Sequence, residues 1–239
     1  MLQTTRAIVL RSIPYSGSSR ILRVYSRDYG THSYMVKGVG SGKKRFKPVI
    51  FLPLTELEII ARHRNTPSLD LLRDVRVVSR YEHLHSHIPK QSIVLFVSEV
   101  LTYALGESGA HEQLYDFLVH AFKTLDETGE NIAGFHLLFL VELTRHLGVY
   151  PGRNDTLPYF DMLEGRYTAL PTSDYAIDGE KLMLFNRLLG TEFEAFYTLN
   201  ADAHQRNMLL DMLLDYYRLH IPHFKEPNSK KVLYEVFHS

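Results

Sequence analysis

The chain has 239 residues, of which 45% are hydrophobic and 12% aromatic, so it can form packed cores and is not disordered throughout. It contains no cysteine, which excludes disulfide scaffolds, thiolate zinc ribbons and cysteine nucleophiles and fits a reducing cytoplasm, the expected location. No apolar run approaches the roughly 20 residues of a membrane-spanning helix, and residues 1–10 lack the pattern of a secretory signal.

The formal net charge of zero hides an uneven distribution along the chain. Residues 1–79 carry 14 Lys and Arg against 5 Asp and Glu, a net of +9, whereas residues 80–239 carry 13 against 22, a net of −9. A basic module of this kind is typical of proteins that bind a polyanion, most often nucleic acid. The alternative is electrostatic attraction between the two parts of the chain, and both explanations can hold at once.

Five short strands are predicted in the basic part from β-branched and aromatic residues between turn-forming segments: 4–11, 20–25, 31–37, 49–61 and 69–78. Residues 38–47 are rich in Gly, Lys and Ser, which predicts a mobile loop. Five short strands, expected to pair antiparallel, suit an OB-type β-barrel.

After residue 80, apolar residues recur every three or four positions, which predicts helices at 89–106, 112–126, 131–148, 178–189 and 202–220. Residues 149–177 interrupt this pattern, and a Glu164–Gly165 turn predicts a hairpin of 157–161 with 166–170. The predicted fold class is α+β. An OB-fold DNA-binding domain at 1–79 precedes a helical domain at 80–239, which has a small β-hairpin insertion at about 149–177 and no zinc site.

The strongest candidate site is a basic loop that combines phosphate-binding cations with one aromatic residue: Lys37, Lys43, Lys44, Arg45, Phe46 and Lys47. Flexible glycines let such a chain follow a phosphate backbone, and Phe46 is a candidate for stacking on a base. The spacing excludes a Walker phosphate loop, because Gly38 lies only four positions before Gly42 and Lys44 follows Lys43. The alternative is a solvated loop without a ligand.

The predicted DNA-binding set is completed by four residues on or next to strands, Arg11, Arg20, Arg27 and Tyr34. Cations interleaved with aromatics suit a single-stranded nucleic acid. Strand alternation places Arg20 on the side of Leu22 and Val24, so the arginines cannot all share one outward face. About half of the nearby tyrosines are expected in the core.

No catalytic constellation or metal site is predicted. His83 and His87 share a helix face in a cluster with His85, but no spacing supplies further ligands. Solvated histidines are therefore the preferred interpretation, and a metal-dependent hydrolase is the weakest of the alternatives.

Many weak motifs in order resemble the bacterial RecO family. The N-terminal ones are Ile8-Val9-Leu10, Tyr15, Arg20-Ile21-Leu22, the run 25–30 and Val36-Lys37-Gly38. Leu52-Pro53-Leu54-Thr55 resembles the fourth strand of the family. Later ones are Ser98-Glu99, Leu114-Tyr115, Leu147-Gly148 and Tyr216-Tyr217.

The resemblance implies a non-enzymatic recombination mediator of DNA repair, without a cofactor, that binds single- and double-stranded DNA and anneals complementary strands. It implies RecR and the single-stranded-DNA-binding protein as partners, and RecA loading as the indirect result. The acidic tail of that binding protein is expected in an apolar pocket beside Lys90, Lys123, Arg145 or Arg187. The alternative from the residues alone is an RNA-binding or translation-associated OB-fold protein.

Two features depart from the family pattern. Many members carry a four-cysteine zinc site after the segment that matches 147–151, and this chain has no cysteine to form one. Near the C-terminus, Pro227-Asn228-Ser229 stands where Leu-Lys-Ser is common, which puts any partner contact at that place in doubt.

Overall fold

The computed structural model describes residues 2–62, 69–129, 131–154 and 156–238. The chain divides into two compact units, Met1–Asp126 and Glu127–Ser239. The first contains a β-barrel and two helices, and the second contains a small sheet and the remaining helices. The domain boundary at residue 79 stays a prediction, and the two helices that follow it belong to the compact unit of the barrel.

The barrel closes in the order β1-β2-β3-β5-β4, and its strands are β1 (Gln3–Ser16), β2 (Ser19–Ser26), β3 (Gly30–Val36), β4 (Glu56–Ala61) and β5 (Asp70–Val77). This confirms the predicted five-stranded barrel. The expectation of antiparallel pairing throughout is wrong for β3 and β5, which pair in parallel. A closed ring of five strands cannot alternate direction at every step, because alternation requires an even number.

Strand alternation fills the barrel interior with apolar side chains. Leu22 and Val24 share a side of β2, point inward and are fully buried with Ala7, Val9 and Ile59. Two register shifts, after Val9 and after Pro14, let the long β1 bend around the barrel.

The predicted fourth strand holds only over its second half. Residues Pro48–Phe51 form a 3-10 helix instead, and Leu54 has a positive φ of 64° before β4 begins. Pro48 at the first helical position favours this helix, because its fixed φ suits a helix start. Proline also disfavours a strand here, because it lacks the N–H that would donate to a neighbouring strand.

Helices α1 (Ile88–Leu105) and α2 (Glu112–Glu127) complete the first unit. The side chain of Asp126 accepts backbone N–H bonds from residues 82, 83 and 84, and the buried Lys90 donates to the Asp126 carbonyl over 2.7 Å. Burial by itself raises the pKa of Asp126, but these bonds hold it below the ordinary value of 3.8. The carboxylate thereby fixes the segment that leads from the barrel into α1.

The second unit is built on a buried helix and a small sheet. Its elements are α3 (Phe135–His146), β6 (Tyr159–Asp161), β7 (Arg166–Thr168), β8 (Ala176–Ile177), α4 (Gly179–Leu189), a 3-10 helix at Phe193–Thr198, α5 (Ala203–His220) and α6 (Lys230–His238). The hairpin of β6 and β7 is confirmed, whereas β8 and α6 were not predicted. No helix in the described ranges is long and apolar enough to cross a membrane.

Candidate nucleic-acid interface

The basic loop, residues 37–47, is anchored to the barrel at both ends. Val39 donates its N–H to the carbonyl of Ser18 over 2.8 Å. Across the loop, Gly40 donates its N–H to the Phe46 carbonyl and Phe46 donates its N–H to the Gly38 carbonyl, each over 3.0 Å. Val39 and Phe46 are each only 6% exposed and belong to the barrel core. The loop predicted to be mobile is therefore a folded rim with an exposed tip.

The lysines of this loop point into solvent. Lys37, Lys43, Lys44 and Lys47 are exposed, and no ion pair joins them to an acid within the described ranges. Gly42, at the tip, has a φ of 71°, a conformation that favours glycine and turns the chain back toward the barrel. Four cations thus project from an anchored backbone.

Arg45 differs from its lysine neighbours because it contacts β5. Its guanidinium donates to the carbonyl of Arg73, lies 3.4 Å from a carboxylate oxygen of Asp74, and sits 4.8 Å from the ring centre of Phe46. Part of its charge is therefore used to hold the loop, although more than half of its side chain is exposed.

The two predicted aromatic contacts lie inside the barrel. Phe46 packs edge-on against Phe51, with ring centres 6.1 Å apart, and Tyr34 is fully buried in the same core. Burial raises the pKa of the Tyr34 hydroxyl above its ordinary value. Neither ring is open to a base in this conformation, because each fills space in the core. We therefore leave both out of the proposed surface.

The predicted strand arginines have different surroundings. Arg11 is exposed on β1. Arg20 lies near the start of β2 and donates from Nε to the Ser12 hydroxyl over 2.8 Å. Arg27 pairs with Glu112 and Asp116 of α2, and the hydrogen bond to Glu112 raises the pKa of its guanidinium. The charge of Arg27 is thus largely balanced within the first unit.

Residues 106–116 cover part of the outer face of the barrel. Arg23 donates to the Gly106 carbonyl, the Tyr25 hydroxyl accepts the N–H of His111 over 3.1 Å, and Thr31 donates its N–H to Ser108 over 2.9 Å. A Cβ on Gly30 would lie 2.2 Å from the Ser108 carbonyl oxygen, so only glycine fits this approach. The part of the outer face that bears Arg23 and Tyr25 is therefore covered by this segment.

Sequence reasoning missed the part of the same face that stays open. Ile13, Leu71 and Arg73 are exposed on β1 and β5, beyond the reach of residues 106–116. Alternation within each strand places them outward, but only the pairing register shows that Ile13 and Leu71 lie on one row, with residues of β2 and β3 between them.

The histidines of the cluster at 83–87 lie in the segment that leads into α1. A ring nitrogen of His85 lies 2.8 Å from the Pro53 carbonyl, and His87 precedes the first turn of α1. Across the described ranges, no three His, Asp or Glu side chains are grouped as metal ligands.

Comparison with known proteins gives the same family for both parts of the chain. The family model described as "Recombination protein O N terminal" matches residues 1–81, and "Recombination protein O C terminal" matches residues 85–230. A DNA repair protein RecO of Christiangramia forsetii is 40% identical over 99% of this chain and all of that relative. One of Flavobacterium psychrophilum is 35% identical over 98% of each chain. The chain belongs to the RecO family of DNA repair proteins.

Proposed function

We propose that the chain is a non-enzymatic recombination mediator that works in the cytoplasm. In this proposal it binds single- and double-stranded DNA, anneals complementary strands and helps to load RecA. Family membership supports the role in DNA repair, and neither matching family description names an enzymatic activity. Annealing requires no catalytic side chain, since neutralised phosphates let two polyanions approach each other.

The observation that carries the proposal is the anchored basic loop. Its exposed lysines meet a phosphate backbone at little entropic cost, because Val39 and Phe46 already fix the loop on the barrel. Arg11 and Arg73 add exposed charge on the neighbouring strands. A surface of this kind holds DNA by its backbone and shows no preference for sequence.

The test replaces Lys43, Lys44 and Lys47 with Gln and leaves Arg45 in place, since Arg45 also holds the loop. If the three lysines meet three phosphates, the dependence of log affinity on log salt becomes shallower by about 2 for single-stranded DNA. Annealing should slow in parallel, with the melting temperature unchanged. A matched control replaces Lys181, Lys225 and Lys231, three exposed lysines of the second unit.

Two results would contradict the proposal. Unchanged affinity and annealing in the loop variant would remove the basic loop from the site. Tighter binding of RNA than of DNA of the same sequence would favour the RNA-binding alternative, because such a preference requires contacts to the 2′-hydroxyl.

For the partners, we place the acidic tail of the single-stranded-DNA-binding protein in an open groove of the second unit. Leu157, Leu182 and Met183 line the groove with apolar surface, and Arg153 and Arg187 supply the cations. Apolar surface with two arginines suits an acidic peptide that ends in an apolar residue.

The other predicted cations are less suitable for this tail. Lys90 is buried and bonded to Asp126, and Arg145 stacks 3.5 Å from the ring centre of Tyr150 and pairs with Glu142. Lys123 is exposed on α2, outside the groove.

A tail peptide should bind the full chain and lose affinity in Met183→Glu, with Lys181→Glu as the control. The full chain is used because α1 belongs to the compact unit of the barrel. Equal loss in both variants would exclude the groove. RecR remains the second proposed partner, with RecA reached indirectly.

A further inference from the structure

The outer face of the barrel carries a continuous apolar row across four strands. The strand register pairs Ile13 with Ile21, Ile21 with Met35, and Met35 with Leu71. These side chains alternate with the core residues of their strands, so all four point away from the barrel interior. Ile13 and Leu71 are 38% and 37% exposed, and the two between them are half-buried.

Two further exposed apolar side chains lie close in sequence to the two ends of this row. Tyr15 follows Ile13 on β1 and is 59% exposed, and Leu69 precedes Leu71 at the start of β5 and is 42% exposed. Single exposed apolar residues are ordinary, whereas a contiguous apolar patch usually marks a binding site. The row is therefore a candidate binding surface that adjoins the basic loop at Lys37.

Cations flank the row, and acids are scarce around it. Arg11 stands two residues before Ile13, Lys37 two after Met35, and Arg73 two after Leu71, and all three are exposed. β1, β2 and β3 contain no Asp or Glu. On β5, Asp70 is buried and Asp74 pairs with Arg45. A ligand on this surface meets an apolar centre within a positive border.

Single-stranded DNA combines these two properties, because it is a polyanion whose bases offer flat apolar faces. A duplex keeps its bases stacked inside and presents only phosphates and groove edges. A second copy of the chain would bring like charges together, which opposes self-association through this face.

We propose that unpaired bases of single-stranded DNA pack on the row of Ile13, Ile21, Met35 and Leu71. Their phosphates lie on Arg11, Lys37 and Arg73. The inference rests on the proposed DNA-binding function and adds a contact that only single strands make. A base that pairs with a complementary strand leaves the row, so annealing weakens this contact and favours release of the duplex.

The experiment compares the full chain with the double variant Ile13→Thr, Leu71→Gln and with a second variant, Tyr15→Ser. The control is Leu95→Gln, an exposed leucine of α1 that is 45% exposed. Anisotropy measures binding to oligo(dT) and to a mixed-sequence duplex of the same length. We expect the double variant to bind oligo(dT) about tenfold more weakly, with duplex affinity and salt slope unchanged, since base contacts carry no charge.

Three results would overturn the inference. The first is an equal loss of affinity for oligo(dT) and for the duplex in the double variant. The second is unchanged affinity for both ligands in the double variant and in Tyr15→Ser, while the loop variant of Lys43, Lys44 and Lys47 still binds more weakly. The third is a change of oligomeric state at unchanged DNA affinity. Loss of binding to an acidic peptide alone would assign the row to a protein partner and also overturn it. If the wild type bound no DNA at all, the proposed function itself would fail, which is a different outcome.

Discussion

The loop lysines of the first unit and Lys230 of the second unit have opposite surroundings. Residues 1–126 carry 17 Lys and Arg against 11 Asp and Glu, and residues 127–239 carry 10 against 16. In the first unit, Lys43 and Lys47 project from an anchored loop and meet no acid within the described ranges. In the second, Lys230 lies 2.7 Å from Asp211 and 2.6 Å from Glu226, and its side chain is 16% exposed.

This difference teaches that a cation's role depends on its neighbours. A lysine that bridges two carboxylates contributes to folding and has little charge left for a ligand. A lysine on a rim without acids contributes little to folding, and its charge remains available to DNA phosphates. Net charge therefore indicates the unit that we propose to bind DNA, and the local geometry indicates which of its residues are available for that contact.

The largest expected effect follows from a change at Phe46, which fixes the basic loop on the barrel core. Phe46→Ala should lower the free energy of unfolding by about 3–5 kcal/mol, because it leaves a cavity in the barrel core. Chemical denaturation monitored by circular dichroism measures this change. Phe46→Leu keeps most of the apolar volume and should lose less than about 1.5 kcal/mol.

The same pair of variants distinguishes a core residue from a base-stacking residue. Phe46→Ala is expected to reduce DNA affinity only through partial unfolding, so the loss should disappear under conditions that keep the variant folded. A variant of wild-type stability with weaker binding to oligo(dT) would show instead that the ring contacts a base.

Much of the fold could be predicted from local patterns. The strands of the barrel follow from β-branched residues between turns, and α5 follows from its apolar period. The structure shows a capping box of Asp202 and Gln205 at the start of α5. The short α6 has only nine residues, so its apolar period was too brief to recognise.

The candidate site was harder to predict because it depends on long-range contacts. The sequence marks Phe46 as one aromatic among cations, yet its ring is buried against Phe51. Arg11 and Arg23 are paired neighbours, but residues 106–116 engage only Arg23. Alternation indicates the face of a strand, and it does not indicate which part of that face another segment covers.

The second prediction concerns the bridged lysine. Lys230→Gln should lower the free energy of unfolding by about 1–2 kcal/mol, because it removes charge-assisted bonds and leaves two acids side by side. The hydrogen bond from Lys230 lowers the pKa of Glu226, so that pKa should rise in the variant, as carboxyl NMR titration can measure. Lys231→Gln, an exposed neighbour, is the control. Equal stability of the two variants would contradict the bridging role.

The third prediction concerns Asp161, whose carboxylate stabilises the small sheet of the second unit through hydrogen bonds. The buried carboxylate accepts the N–H groups of Leu163 and Glu164 over 2.9 and 3.1 Å and the hydroxyl of Thr172. Burial alone raises the pKa of Asp161, but these bonds hold it below 3.8. Asp161→Asn should lower the free energy of unfolding by about 1 kcal/mol near neutral pH.

The stability difference between the wild type and Asp161→Asn should depend on pH in a definite direction. Because the folded pKa is depressed, the stabilisation is complete above the unfolded pKa and is lost as the pH falls through the folded value. The difference between wild type and Asp161→Asn should therefore be constant above about pH 5 and shrink below about pH 4. A difference that grew on acidification would contradict the assignment.

The smallest effect is expected for Lys47→Gln, the counterpart of Lys230→Gln in the first unit. The free energy of unfolding should change by less than about 0.5 kcal/mol, because Lys47 is exposed and bridges no acids in the described part of the chain. The salt dependence of oligo(dT) binding should become shallower by about 0.7, the value for one phosphate on a single strand. The same chemical change at Lys230 should do the opposite, lowering stability and leaving the salt slope unchanged. If both variants altered the slope equally, the effect would follow from net charge, and the positions of the lysines would not matter.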